Sequence, residues 1–115
     1  MSGSSPVHAS ERQLLDWIGL AARAGKLVAG TDSVRQGVRD GEVAGVLLAA
    51  DASPTQHAKL IPLLDAREVR YHFLLSRERL GAAIGRAPVT AVGLTDRKFA
   101  RRAAELIAVL PAPQD

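Results

Sequence analysis

The amino-acid sequence predicts an α/β fold, a three-layer α/β/α sandwich around a four-stranded mixed sheet. Short apolar segments of strand length alternate along the chain with longer segments whose apolar residues recur at helical spacing. Glycines and capping residues separate the two kinds of segment. Strands that alternate with helices pack as a sheet with helices on both faces.

The first half of the chain is predicted to contain two helices and two strands. Helix one runs over 11–24 with Ser10 as its cap, and Gly25 ends it. Its buried side carries Leu14, Leu15, Ile18, Ala21 and Ala22. A short strand over 26–29 precedes helix two, which Thr31 or Asp32 caps and which runs to about residue 40. The strand predicted over 43–50 is almost wholly apolar, as is typical of a strand buried on both faces.

The second half continues the alternation. Asp51 and Ser53 are placed to cap helix three, predicted over 54–64, whose first turn tolerates Pro54. The remaining elements are a strand over 69–75, a short helix from Ser76 to about Gly85, a strand over 89–94, and a last helix. That helix begins at Thr95 or Asp96 and reaches about Leu110, where Pro111 stops it.

Composition indicates one domain over 11–111. Residues 1–10 are small and polar and are expected to be a flexible tail or an expression remnant, with a second tail over 112–115. The absence of cysteine excludes disulfides, thiolate metal sites and a cysteine nucleophile. No apolar stretch reaches the roughly 20 residues of a membrane span, and no signal peptide is visible, so a cytoplasmic protein is expected.

The modest positive net charge is compatible with a nucleic-acid partner but does not require one. Fifteen Lys and Arg face twelve Asp and Glu, for a net charge of +3. All but three of the basic residues are arginine, whose planar guanidinium suits phosphate and guanine edges. Aromatic residues make up only 3% of the chain, which argues against the stacking surfaces of aromatic-rich RNA binders. A run on the last helix, Arg97, Lys98, Arg101 and Arg102, is either a solvated face or a phosphate contact.

The sequence contains no motif that indicates catalytic activity. Neither phosphate-loop glycine pattern is present, and no serine or histidine has a partner at triad spacing. Asp51 follows a buried strand, as phospho-acceptor aspartates do, but the acidic pair that would hold magnesium is missing, so helix capping is the better interpretation. We expect no enzyme activity, no cofactor and no metal.

The chain instead predicts a site for a polyanion at one end of the sheet. The turn at 30–33, the turn at 51–52 and a helix N-terminus should converge there, because they follow or precede neighbouring strands. Gly30 is either a backbone necessity before helix two or a point where the backbone approaches a ligand. Lys26, Arg35, Arg39 and Arg86 are expected to cluster near this end.

Three stretches resemble a known family. They read LLDWIGLAARAGKLVAGTDSVRQGVRDGEVAGVLLAADASP, LGAAIGR and AVGLTDRKFARR. They are similar to the bacterial YlxQ-like branch of the ribosomal-protein L7Ae/L30e superfamily, and the resemblance spans about Leu14 to Leu110. It implies an α/β/α sandwich that binds structured RNA, often kink-turns, without enzymatic activity. It also implies that the chain could be the C-terminal domain of a YlxR-YlxQ-like fusion.

The resemblance also implies which residues contact RNA. They are Gly30, Thr31, Asp32, Ser33, Arg35 and Gln36, then Asp51 and Ala52, then Gly85, Arg86, Ala87, Pro88 and Val89; Lys26 and Arg39 join them as nearby cations. The best kink-turn binders carry G-x-Asn-Glu-x-x-Lys at the first turn. Here Ser33 stands in place of the glutamate and Gln36 in place of the lysine.

Two function classes remain open at this point. The first is a non-enzymatic module for ribosomal or other structured RNA, or the ribosome itself, acting as a monomer. The second is a protein-interaction or regulatory domain that kept the fold and lost RNA specificity. The arginines near the predicted end of the sheet favour the first.

Overall fold

A computed structural model describes residues 6–110 of the chain. This range contains six helices and four strands, which alternate except that α3 and α4 follow one another. The helices are α1 (Pro6–Arg23), α2 (Thr31–Arg39), α3 (Pro54–Ala58), α4 (Ile61–Ala66), α5 (Arg77–Ala83) and α6 (Arg97–Ala108); the strands are β1 (Leu27–Ala29), β2 (Gly45–Ala49), β3 (Tyr71–Leu74) and β4 (Ala91–Leu94). No helix in the described range is long and apolar enough to cross a membrane.

The four strands form one mixed sheet in the order β1-β4-β2-β3. Strand β4 pairs antiparallel with both β1 and β2, while β3 pairs parallel with β2. The carboxyl ends of β1, β2 and β3 therefore lie at the same edge of the sheet as the amino end of β4. The turns that follow β1, β2 and β3 and the turn that precedes β4 therefore lie at one edge of the sheet.

Each face of the sheet is covered by its own apolar cluster. One cluster joins α1, α5 and α6 to β2 and β4 through residues such as Ile18, Leu80 and Leu106. The other joins α2 and α4 to β2 through residues such as Val38, Leu48 and Leu64. Alternate residues of β2 point to opposite clusters, which explains its apolar sequence. The predicted three-layer α/β/α sandwich is confirmed.

The predicted third helix is wrong as a single element, because it is divided into α3 and α4. The amides of Lys59 and Leu60 bond to the carbonyl oxygens of Gln56 and His57, at 3.2 and 3.0 Å, so the chain tightens there. Pro62 follows in the first turn of α4, where its missing N–H costs nothing. A proline inside a continuous helix would remove a hydrogen bond and clash with the preceding turn.

The first helix begins earlier than expected. Helix α1 starts at Pro6, a residue type favoured in the first turn, so Ser10 lies inside the helix and does not cap it. Residues 6–10, which the sequence assigns to a tail, are helical and belong to α1. The rest of that segment lies outside the described residues, as do Pro111 and the tail expected over 112–115.

Candidate nucleic-acid interface

Three turns meet at one edge of the sheet; the residue pattern predicts the first two there, and the family resemblance implies the third. The amide of Gly30, after β1, donates to the carbonyl oxygen of Ala91 at 2.9 Å. The amide of Ala49, at the end of β2, donates to the carbonyl oxygen of Thr90 at 2.8 Å. We call the surface formed by residues 30–33, 51–52 and 85–89 the loop edge. The opposite end of the sheet, formed by Lys26 with residues 39–44 and 95–97, is the far edge.

The loop edge contains a helix N-terminus without a side-chain cap. Gly30 is the residue before α2, with φ of 96°, and no side chain caps the helix. The expectation that Thr31 or Asp32 caps α2 is therefore wrong; both belong to its first turn. Glycine is required here because the positive φ disfavours any residue with a Cβ. The first-turn amides of α2 are left for solvent or an anionic ligand.

Close packing against α5 holds the third turn in place. The amide of Arg86 donates to the carbonyl oxygen of Gly81 at 2.9 Å, and that of Val89 to the carbonyl oxygen of Arg77 at 3.1 Å. A Cβ added at Gly81 would come within 2.7 Å of the carbonyl carbon of Ala87. Gly81 therefore lets the backbone of the turn lie directly on the helix, which leaves Arg86, Ala87 and Pro88 exposed.

Asp51 caps a different helix from the one expected. Ser53 and Gln56 form a capping box on α3, so that helix does not need Asp51. The carboxylate of Asp51 instead accepts from the backbone N–H of Arg77, the first residue of α5, at 2.8 Å, and lies 3.9 Å from the Arg77 guanidinium. Asp51 thus ties the turn after β2 to the start of α5. Its neighbour Ala52 is buried and offers little surface to a ligand.

Two of the four expected cations are not at the loop edge. Lys26 precedes β1, and its carbonyl oxygen accepts from Thr95, which follows β4 at the far edge. Arg39 ends α2, about 12 Å along the helix axis from its start, and its carbonyl oxygen accepts from the Arg67 guanidinium. The expectation that Lys26 and Arg39 join Arg35 and Arg86 is wrong, because it counted distance along the chain and not strand and helix direction.

Arg77 is a cation of the loop edge that the sequence reasoning missed. It follows β3, whose carboxyl end lies at this edge because β3 is parallel to β2. Its side chain is 48% exposed. The alternation of strands and helices already contained this signal, since the turn after every parallel strand falls on the same edge. Arg35, one turn into α2, is partly buried, and its Nε atom has no hydrogen-bond partner within the described range.

The positions expected to contact bases are accessible. Asp32 and Ser33 are exposed in the first turn of α2. Gln36, one turn later, is exposed and donates to the Asp40 carboxylate at 2.9 Å. That contact is with a residue of the same helix and solvent reaches it, so Gln36 can exchange it for another acceptor at little cost.

A group of three rings, of which one is exposed, lies beside the loop edge, although the low aromatic content argues against the stacking surfaces of aromatic-rich RNA binders. The centroids of His57 and Tyr71 lie 4.9 and 5.8 Å from that of Phe73, and Phe73 is 50% exposed. We call His57, Tyr71 and Phe73 the aromatic cluster. Nε2 of His57 donates to the carbonyl oxygen of Ala49 at 3.0 Å, which joins the cluster to the end of β2.

The arginine-rich run of α6 lies away from the loop edge. Arg97 begins α6 at the far edge, and Arg102 pairs with Glu105 at 3.2 Å. Arg97 and Arg101 flank an open, mainly apolar cavity of about 330 Å³ together with Arg70 and His72. Among residues 6–110, no group of three His, Asp or Glu side chains is arranged to hold a metal ion.

Comparison with known families and curated proteins gives consistent matches. The model of the ribosomal protein L7Ae/L30e/S12e/Gadd45 family matches residues 12–104. The RNA-binding protein YlxQ of Bacillus subtilis is 34% identical over 96 residues, which are 81% of this chain and 96% of that protein. The large ribosomal subunit protein eL8 of Picrophilus torridus is 30% identical over 87 residues, covering 75% of this chain and 68% of that protein.

Two solved structures are similar to this one. A protein of unknown function from Bacillus halodurans C superposes with a TM-score of 0.79 at 34% identity, covering 83% of this chain and 96% of that one. A 15.5 kD RNA-binding protein from Giardia lamblia superposes with a TM-score of 0.71 at 21% identity, covering 94% and 90%. At that lower identity the second likeness is one of fold.

Proposed function

Since the chain belongs to the ribosomal protein L7Ae/L30e/S12e/Gadd45 family, we propose that it binds structured RNA at the loop edge and has no enzymatic activity. The observation that carries the proposal is the junction of three turns around an uncapped helix N-terminus. Arg77 begins α5 beside Asp51, Arg86 is exposed in the third turn, and Arg35 lies one turn into α2. Backbone amides and guanidinium groups together suit phosphate. The relatives named for RNA binding or for the large ribosomal subunit support this choice of polyanion.

Salt dependence tests the electrostatic part of the proposal. Each phosphate neutralised on RNA contributes about 0.7–0.9 to the slope of log affinity against log salt concentration. Three arginines at the loop edge therefore predict a slope of about −2 to −3 for a structured RNA, with a Kd that is micromolar or tighter at low salt. Absence of RNA binding at low salt would refute the proposal and favour a protein-interaction or regulatory domain.

Single substitutions test the location of the interface. Arg35→Ala and Arg86→Ala should each weaken RNA binding and reduce the salt slope by about one. Arg97→Ala is the matched control, because Arg97 is an exposed arginine at the far edge. Lys26→Ala and Arg39→Ala serve as further far-edge controls. Equal losses for all five variants would mean that the attraction is diffuse and that the loop edge is not the site.

Kink-turn preference is the finer part of the proposal. Asp32 can accept from a guanine edge and Gln36 can donate and accept, but Ser33 is shorter than the glutamate of the family pattern. We propose that a kink-turn binds better than a plain duplex, though more weakly than it binds to a protein with the full pattern. Loss of one good base contact costs about 1–3 kcal/mol.

The matched RNA is the same kink-turn with its G·A pairs replaced by Watson–Crick pairs. A Ser33→Glu, Gln36→Lys double variant should gain affinity for the kink-turn alone. Equal affinity of the wild-type protein for both RNAs would show that only phosphates are read, and a double variant without gain would show that the turn is misaligned with the family pattern. Cytoplasmic location and action as a monomer belong to the same proposal.

A further inference from the structure

The aromatic cluster has no role in the interface described so far. Phe73 belongs to β3, the strand at one side of the sheet. Leu74, the next residue, points into the cluster beneath α1 and α5, so Phe73 points to the opposite face. That face is covered by α2 and α4 over β2, and the cover stops short of Phe73, which stays half exposed.

Two neighbouring rings fix the position of Phe73. His57 and Tyr71 both meet it at steep interplanar angles of 71° and 89°. His57 is in turn held by its hydrogen bond to Ala49, and Tyr71 donates to Asp65 Oδ1 at 3.1 Å. A flat apolar side chain that is both exposed and held in place is suited to stacking, because it loses little conformational entropy when a second ring stacks on it.

The position of the aromatic cluster next to the loop edge indicates which kind of ring would stack on Phe73. Ala49, which accepts from His57, also donates to Thr90 beside the third turn. The amide of Ala50 donates to the carbonyl oxygen of Leu75 at 2.8 Å, and Arg77 contacts Asp51, so the ends of β2 and β3 lie side by side at the loop edge. An RNA strand that leaves the loop edge past Arg77 would thus bring its next base to the aromatic cluster. The sugar–phosphate backbone would stay beside a cation while the base meets an uncharged ring.

We propose that Phe73 is a stacking platform for an unpaired nucleobase next to the structured RNA bound at the loop edge. The inference rests on the proposed function and adds a single-stranded subsite to it. Base–aromatic stacking tolerates any base, with purines offering the larger ring face. The subsite therefore adds affinity for RNA with a single-stranded extension, without sequence-specific reading.

The test compares kink-turn RNAs that differ only in an extension. One is blunt, and two others carry five unpaired adenosines at the 5′ or the 3′ end. One extension should strengthen binding to the wild-type protein about fivefold or more, a gain that Phe73→Leu loses and Phe73→Trp retains. Affinity for the blunt RNA should be unchanged in both variants. Leu20→Ala, which removes another exposed apolar side chain (42% exposed), is the matched control.

A 2-aminopurine in the extension gives a direct readout. Its fluorescence should fall on binding to the wild-type protein and not on binding to Phe73→Leu. No gain from either extension, with the blunt RNA still bound, overturns the stacking proposal and leaves the proposed function intact. If the blunt RNA does not bind, the kink-turn part of the proposed function fails, and titration with a 2-aminopurine pentanucleotide decides the stacking proposal alone. A change from dimer to monomer in Phe73→Leu, with unchanged RNA affinities, would instead assign the cluster to self-association.

Discussion

Replacing Gly81 by alanine is expected to displace the turn at 85–89 and weaken RNA binding. The new Cβ would lie 2.7 Å from the carbonyl carbon of Ala87 and 3.0 Å from the carbonyl oxygen of Arg86. Both atoms are backbone, so no side-chain rotation can relieve the contact. The turn must move away from α5, and the hydrogen bond from Arg86 to Gly81 must lengthen.

The magnitude follows from two opposed terms. Overpacking costs about 1–3 kcal/mol, while alanine in a helix is favoured over glycine by about 1 kcal/mol. We expect a net loss of about 1 kcal/mol in the free energy of unfolding. For a domain of this size that corresponds to a fall in Tm of about 4–8 °C. Denaturation can be followed by the fluorescence of the single tryptophan, Trp17, whose ring centroid lies 4.5 Å from that of Phe99.

RNA affinity separates a displaced turn from a general loss of stability. Leu64→Val is the matched control, because it removes one methylene from a fully buried residue of α4 at a cost of about 1 kcal/mol. Under conditions where both variants are fully folded, Gly81→Ala should bind RNA at least fivefold more weakly and Leu64→Val should bind as the wild type does. Equal affinities for the two variants would refute the reasoning that α5 positions the turn.

Three further outcomes concern helix caps and pH. Ser53→Ala should lower the free energy of unfolding, measured by chemical denaturation, by about 1 kcal/mol, because it removes the acceptor for the Gln56 amide. Ser33→Ala, which changes an exposed serine, is the control. Burial, and secondarily Arg70, lowers the pKa of His72, so its neutral form is favoured in the fold. The free energy of unfolding should therefore decrease as the pH drops below 6.5 toward the pKa of His72 in the folded protein. His72→Gln should make that decrease smaller. Arg70, Arg97 and Arg101, which line the same cavity as His72, stay charged throughout. Hydrogen bonds from the amides of Phe99 and Lys98 lower the pKa of Asp96, so thermal melts should lose stability as pH falls below 3.8, and less so in Asp96→Asn.

The fold and the loop edge could be predicted because both depend on local patterns. The apolar segment of β2 and the alternation of strands with helices are sufficient to indicate a sheet with turns gathered at one edge. Gly30 and Ser76 mark helix starts whose exact geometry the structure supplies. Pro62, in the first turn of α4, is a visible sequence signal of the break between α3 and α4, and a single helix over 54–64 does not account for it.

The edge of the sheet at which a residue lies was harder to predict than the helices and strands themselves. Lys26 and Arg39 are close to Gly30 in the sequence, yet each is one element length away from the loop edge in space. Arg77 is far away in the sequence and close in space. The aromatic cluster escaped the composition argument for the same reason, because His57 in α3 and Phe73 in β3 meet only once the chain has folded.

The position of β4 in the sheet affects when the protein becomes functional during synthesis. Among the strands of residues 6–110, β4 comes last in the chain and lies between β1 and β2, which do not pair with each other. Until residue 94 has left the ribosome, the turn after β1 and the turn after β2 have no common strand to hold them side by side. Long-range pairing of this kind is slow and leaves strand edges open meanwhile. The loop edge is therefore expected to assemble only once β4 is available, and a nascent chain should not bind RNA through it before then.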